Sequence, residues 1–333
     1  MTTAPRFVSC DELRAALPIE LVVEALARRF TTTVPAELEA TPRTVIRVPG
    51  RPAGDEAEML LMPAHGEEGA GLKLVSIVRG NPTRGLPMIQ GLYVLLAPDG
   101  MTPELVIDGA ALTALRTAGV SALATRQLAR PDSRNLVVFG AGAQAAAHVD
   151  AMRAVLPIER VTVVGSSAAS PRAAALVAQL LAAGVDVAVG DRSAVASADV
   201  VCTCTTSVEP VFANNDLRPG AHINAIGAYR LDMCEIPSGA LARALLIVES
   251  VAATLAEAGD VVRAIDSGAL PASGFAYELH ELLNGVVGRE DRAQTTVFKS
   301  VGLAVEDLIV ARAAADALAE ADALADPSRL AGR

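Results

Sequence analysis

Residues 134–148, RNLVVFGAGAQAAAH, place the tightest constraint on what this chain folds into. A short apolar run (Leu136, Val137, Val138, Phe139) stops at Gly140, Gly142 follows, and an Ala-rich segment begins near Gln144. The pattern predicts a strand, a tight glycine turn and a helix, with G-x-G-x-x-A spacing at Gly140, Gly142 and Ala145. Glycine at the first position lets the chain turn sharply, and glycine at the second removes a Cβ so that the backbone can approach a pyrophosphate. The small third residue lets the helix pack against its strand, leaving free N–H groups and the positive helix end facing an anion. A glycine triplet alone is weak in a chain with 26 glycines. Here a second strand pattern follows at 161–164, and the βαβ context points to dinucleotide binding by Gly140, Gly142, Ala143 and Gln144.

The 333 residues suffice for one large domain or two ordinary ones. They are 52% hydrophobic but only 3% aromatic and lack Trp, so Ala, Val and Leu must fill the core. That is an α/β composition. A net charge of −10 leaves no basic surplus to displace counterions, which argues against a nucleic-acid partner. A small anionic substrate needs only a few local cations. Cys10, Cys202, Cys204 and Cys234 are too few and too irregular for a disulfide framework, and read as buried free thiols. No signal peptide and no membrane-spanning run is seen, so a soluble cytoplasmic protein with no membrane partner is expected.

Ser9 and Glu12 form a capping box for a short helix to Leu17, and Pro18 suits the start of a second helix ending at Phe30. Strands are expected at 44–48, 59–62, 72–78 and 89–96, in an antiparallel or mixed sheet, with a polar loop over 49–55. A helix over 110–128 leads to the glycine turn. Beyond it the pattern predicts helices at 144–155 and 171–183, with strands at 161–164, 185–189, 200–203, 221–226 and 245–248 in a parallel sheet. A last amphipathic helix, 301–324, is expected to return to the first domain. Asp191 and Asp199 read as caps of local turns. His65, His148, His222 and His280 show no metal spacing, and no metal site is expected.

Several stretches, taken in order, resemble the ornithine cyclodeaminase/mu-crystallin family. They are Pro42-Arg43-Thr44, Met62-Pro63, Leu72-Lys73-Leu74-Val75, Gly80-Asn81-Pro82 with Gly85-Leu86-Pro87, and Leu115-Arg116-Thr117-Ala118. The Gly140–Gln144 turn, Asn224-Ala-Ile-Gly227, Phe298-Lys-Ser-Val-Gly302 and Glu306-Asp307 complete the series. The resemblance implies a Rossmann-type doubly wound parallel sheet domain over 126–302, beside a smaller α+β substrate-binding and dimerisation domain. That second domain takes 1–125, completed by the C-terminal helix within 303–333. A homodimer formed through the N-terminal sheet is implied as well.

Lys73 sits among apolar strand neighbours, so it lies either on a wet sheet face or in a pocket with an anionic partner. By resemblance Arg43, Lys73 and Arg116 hold the substrate's carboxylate at the nicotinamide, arginine through a planar fork and lysine as a point charge. Thr117, Val301 and Gly302 are cofactor contacts on the same ground. Thr205, Thr206, Ser207 and Gly227 close parallel strands at the end where ligands bind in open α/β sheets. After the strand at 161–164, where an NAD enzyme normally carries an acidic residue, this chain has Gly165, Ser166 and Ser167, then Arg172. NADP(H) is therefore favoured, with NAD(H) the alternative; the serines also suit a helix cap.

Tyr229 stands where cyclodeaminase members carry an Asp that works on the substrate amine, and Leu60 where they carry a Glu. Lys73 and Tyr229 are the candidate catalytic residues. The reading is an NAD(P)H-dependent reductase of cyclic imine carboxylates, a small-molecule enzyme. The rivals are a cyclodeaminase with tightly held NAD+, an alanine-dehydrogenase-like enzyme and, outside catalysis, a crystallin-like NADP-dependent binding protein.

Overall fold

The computed structural model describes residues 4–32, 43–49, 57–167 and 169–325. Pro42 and residues 50–55 of the expected polar loop lie outside them. The chain divides into two compact units: Met1–Arg29, Val34–Arg116 and Leu303–Arg333 in the first, Phe30–Thr33 and Thr117–Gly302 in the second.

In the first unit β1 (Arg6–Val8) precedes α1 (Cys10–Ala16). The capping box forms: Glu12 N–H donates to Ser9 Oγ at 3.3 Å, and Ser9 N–H donates to the Glu12 carboxylate at 2.9 Å. In α2 (Ile19–Thr32) the Pro18 carbonyl accepts the first bonds, so the helix begins one residue later than expected and ends at Thr32. Next come β2 (Thr44–Val48), β3 (Ala57–Gly66), β4 (Gly69–Val78), β5 (Ile89–Leu96) and β6 (Pro103–Asp108). They pair antiparallel in the order β1-β6-β5-β4-β3-β2, except that β1 runs parallel to β6. Sequence reasoning missed β1 and β6. The first is too short to show alternation, and the second opens on Pro103, a residue that discounts a strand except at its first position. The Asp108 carboxylate then caps α3 (Gly109–Leu128) by accepting from Ala110 and Ala111.

The second unit runs β7 (Asn135–Phe139), α4 (Ala143–Val155), β8 (Arg160–Val164), α5 (Pro171–Ala182), β9 (Val187–Gly190), β10 (Val200–Thr203) and β11 (His222–Ala225). It continues with α6 (Ser238–Leu241), β12 (Leu245–Val248), α7 (Val251–Glu257), α8 (Gly259–Asp266), β13 (Tyr277–Glu278), α9 (Leu279–Leu283) and β14 (Thr296–Lys299). Its eight strands are parallel in the order β13-β12-β14-β11-β10-β7-β8-β9, a doubly wound sheet whose direction of winding reverses between β7 and β10. Val137, Phe139, Val201, Ile223, Leu246 and Val297 pack into its core.

Five expectations need correction here. β9 starts at Val187 because the Val185 N–H is spent on Leu180 O in the turn closing α5. The last helix, α10 (Ala304–Ala325), starts after residue 301, since Glu249 takes the N–H groups of Val301 and Gly302 at 3.1 and 2.8 Å. It is not amphipathic at its start: residues 304–311 are all buried, with β3, β4, β5 and α1 as its neighbours. Asp199 is no local cap either, for it accepts from the backbone of Arg134 and Asn135 and from the side chains of Arg130 and Arg218. Cys202 and Cys234 are buried free thiols as expected, whereas Cys10 and Cys204 are half-buried.

Candidate active site

Alternation decides the surroundings of Lys73. On β4 the apolar Leu72 and Leu74 are each 37% exposed, while Lys73, Val75 and Ile77 point inward. Lys73 is only 1% exposed, so it takes the pocket and not the wet face. Its anionic partner is Asp307 of α10, with Nζ 2.6 Å from Oδ2. Arg116 of α3 lies beside them: its Nη1 donates to Glu306 Oε2 at 2.7 Å, and its Nε is 3.3 Å from Asp307 Oδ1. Both carboxylates are fully buried, in the first turn of α10, where the helix dipole also favours negative charge. Removing one partner of such a pair leaves the other charge uncompensated, at a cost of about 3–5 kcal/mol.

Burial pushes the Lys73 ammonium down to about 8; Asp307 opposes that shift, and Arg116 and Arg43 add to it. Half-buried Arg43, at the entry to β2, is thus close enough for its charge to be felt at Lys73. Two cations from distant segments, Lys73 and Arg116, thus meet at the two carboxylates. Tyr93 opposes Lys73 on β5, and its buried phenol is raised, by burial first and then by Asp307. Leu60 pairs with Val75 across the sheet, 7% exposed, in a small apolar cluster with Val75, Ile77 and Met88. Glu306 and Asp307 are functional candidates to which sequence reasoning assigned no role. The available signal was two adjacent carboxylates in a helix start whose other residues, through Ala311, are apolar.

In the second unit the glycine turn sits at the end of β7. Gly140 has φ +101°, and a Cβ there would lie 2.4 Å from Cys204 O, so no other residue fits. A Cβ on Gly142 would meet nothing within 4 Å, and among the described residues no side chain caps α4. Gly142 and Ala143 are exposed at this helix start, and Gln144 and buried Ala145 follow in its first turn. A positive helix end and space over Gly142 fit a dinucleotide's pyrophosphate.

The neighbouring strand ends are held from beneath by Glu235. Its carboxylate accepts from Thr205 N–H and Oγ1 at 2.7 Å each, from Gly227 N–H at 2.6 Å and from Ala228 N–H at 3.0 Å. Burial pushes Glu235 up, and Lys299 opposes the shift. Asp260 accepts the Glu235 and Ile236 N–H groups and lies 3.0 Å from Lys299 Nζ, which donates to Ala228 O at 2.6 Å. This buried trio, overlooked in the sequence, sets the backbone entering half-buried Tyr229. A lysine closing the fully buried four-residue strand β14 was the signal, akin to Lys73.

The hydroxyls of Thr205 and Ser207 are engaged within their own loop and with Glu235; Thr206 is exposed. The N–H groups of Val301 and Gly302 go to Glu249, and Thr117 is buried on α3. Ser166, Ser167 and Arg172 are exposed, and Ser170 is the residue that caps α5. His148 and His222 are buried and hydrogen-bonded to Ser121 and Thr125, and burial pushes them down to about 4 and about 3. Among the described residues no His/Cys/Asp/Glu group suits a metal ion.

The family model described as "Ornithine cyclodeaminase/mu-crystallin family" matches residues 6–322. The chain belongs to that family. A Delta(1)-pyrroline-2-carboxylate reductase of Paracoccus denitrificans is 37% identical over 93% of this chain and 96% of its own. One of Bacillus cereus is 35% identical over 92% and 94%. Among solved structures, Thermococcus litoralis Delta(1)-pyrroline-2-carboxylate reductase in complex with NADH and L-proline superposes with a TM-score of 0.86, at 30% identity, covering 95% of this chain and 98% of that one. Within the ornithine cyclodeaminase/mu-crystallin family this chain therefore resembles members whose names describe imine reduction.

Proposed function

We propose that this chain is an NADP(H)-dependent reductase of cyclic imine carboxylates, forming L-proline from Δ1-pyrroline-2-carboxylate or L-pipecolate from Δ1-piperideine-2-carboxylate. The observation that carries the reading is the buried pair of cations Lys73 and Arg116, braced by Asp307 and Glu306 with Arg43 acting on Lys73, a set suited to a substrate carboxylate. The names of the Bacillus and Paracoccus relatives, and the proline held by the Thermococcus enzyme, support the same substrate class. In this division of labour the first unit holds the substrate and the second the dinucleotide. When bound, the nicotinamide supplies the hydride that reduces the imine carbon. The protein's part is to anchor the carboxylate through the arginine forks and the Lys73 point charge, and to deliver one proton to the imine nitrogen, from Lys73 or Tyr229. Consumption of NADPH on addition of pyrroline-2-carboxylate, with proline as product, is the test; no turnover of either cyclic imine would defeat the assignment.

The preference for NADPH rests on Gly165–Ser167, which has no carboxylate to repel a 2′-phosphate, and on exposed Arg172. Ser170 already caps α5, so Ser166 and Ser167 are not needed for that task. The Thermococcus structure holds NADH, so both cofactors need titrating. kcat/KM is expected to favour NADPH by about 10-fold or more, the worth of one charge-assisted contact; a higher value with NADH would reverse the assignment.

A homodimer through the N-terminal sheet goes with this reading, as does a cytoplasmic location; no described helix is long and apolar enough to cross a membrane. The outer face of that sheet carries Leu61, Leu74 and Leu92 in one cross-strand row, beside exposed Leu72. Full burial of each leucine is worth roughly 1.5–3 kcal/mol, which a second copy of this face supplies. Light scattering is expected to show a dimer that Leu74→Glu with Leu92→Glu converts to a monomer. A wild-type monomer at working concentration contradicts the dimer.

A further inference from the structure

Asp307 touches both inner members of the cation cluster. One oxygen lies 2.6 Å from Lys73 Nζ and the other 3.3 Å from Arg116 Nε, while neighbouring Glu306 takes Arg116 Nη1. The three elements involved, β4, α3 and α10, come from widely separated parts of the chain, so no local geometry sets the spacing of ammonium and guanidinium. A carboxylate between them does. Lys73, Arg116, Glu306 and Asp307 are at most 5% exposed, which leaves solvent little part in screening or orienting them. We propose that Asp307 is a positioning residue for imine reduction, holding Lys73 and Arg116 in one geometry for the substrate's carboxylate. The proposal rests on the reading of Lys73 and Arg116 as substrate cations. Asp307 itself, engaged with both cations, donates nothing to substrate.

This role has a consequence that a merely structural ion pair lacks. The charged groups acting on Lys73 are Asp307 from α10, Arg116 from α3 and Arg43 from the entry to β2, while Tyr93 pairs with it across the sheet on β5; Glu68 and Arg312 act in turn on Tyr93. Of these Asp307 is the one that favours the charged ammonium, against burial and two arginines. Loss of its charge therefore lowers the pH at which Lys73 gives up its proton. Only protonated Lys73 attracts a carboxylate, so the alkaline limb of kcat/KM moves to lower pH. Arg116 stays charged throughout this range, so loss of Glu306 loosens the site and raises KM without moving the limb.

The test is the profile of kcat/KM for pyrroline-2-carboxylate with NADPH, from about pH 6 to about pH 10, for wild type, Asp307→Asn, Asp307→Glu, Glu306→Gln and Lys73→Gln. Asp307→Asn is expected to shift the alkaline limb down by about 1–3 units, the effect of losing one close opposite charge. Asp307→Glu is expected to keep the limb in place while lowering kcat/KM, because the charge remains but its position changes. An unmoved limb in folded Asp307→Asn, with Lys73→Gln inactive, overturns the role of Asp307 and leaves Lys73 as a substrate cation. Near-normal turnover by Lys73→Gln overturns the substrate-cation reading instead. Should Asp307→Asn fail to fold by circular dichroism, Lys73→Met in the same chain is expected to restore folding, since the buried ammonium is then gone. A double variant that folds no better counts against the proposal.

Discussion

L-ornithine with NAD+ is expected to give no proline, whereas Δ1-pyrroline-2-carboxylate with NADPH gives it readily. Cyclodeamination asks three steps of one pocket: oxidation of the α-amine, attack by the side-chain amine with loss of ammonia, and return of the hydride. Ornithine brings two ammonium groups, and burying them requires anions to replace lost hydration. The chain provides none at the two positions where cyclodeaminase members of the family carry acids. Leu60 is buried against Val75 and Ile77, an apolar setting in which a carboxylate would itself be stranded. Tyr229 offers a phenol, which can donate a proton but brings no carboxylate charge. The carboxylates that do stand near the cations, Glu306 and Asp307, are engaged by Arg116 and Lys73. Cations held in this way suit a carboxylate on a ring whose nitrogen carries little charge of its own. Amino-acid analysis after incubation decides the matter, and steady proline formation from ornithine without added reductant would establish a cyclodeaminase.

Replacing Lys73 by Gln is expected to lower kcat/KM by roughly 100-fold or more, and Arg116→Lys or Arg43→Ala by about 10- to 100-fold. A charge-assisted hydrogen bond to a carboxylate contributes about 1.5–3 kcal/mol, which sets the smaller range. Lys73 exceeds it for two reasons. It is the most deeply buried of the three cations, so its attraction for the carboxylate is little screened. Its loss also leaves Asp307, a buried carboxylate beside Arg116, opposite a neutral side chain. Arg116→Lys keeps the charge but loses the fork that Glu306 and Asp307 hold, and so separates geometry from charge. Steady-state kinetics on folded variants that still quench on binding NADPH is the measurement. Turnover within a factor of about two of wild type in all three would remove the cluster from the reaction.

The elements legible in the sequence are those whose signal is local. Ser9 and Glu12 lie one helical turn apart, and their reciprocal bonds need no other part of the chain. The glycine turn is equally local: Gly140 is demanded by its own φ, and the space a Cβ on Gly142 would fill is open. Strands β2, β4, β5, β7, β8 and β10 announced themselves through runs or alternation that a short window displays. The family resemblance, carried by motifs in order along the chain, brought Arg43, Lys73 and Arg116 together as candidates before any coordinates did.

Other features depend on residues far apart in sequence, and tertiary structure alone decided them. Alternation along β4 allowed Lys73 either face, and only the docking of α10 on that sheet made the lysine side the buried one and supplied Asp307. The same docking left the start of α10 buried all round, without the two-sided pattern expected of a surface helix. β14 is a central strand of four residues with a lysine at its end; its place between β12 and β11 is set by pairing, not by composition. Glu235, Asp260 and Lys299 are unremarkable in a linear reading, yet folding removes water from all three and leaves one another and the backbone ends of β10 and β11 as their partners. A sequence displays the face of each segment by its period, but which charge meets which depends on desolvation, and desolvation is settled only when distant segments pack.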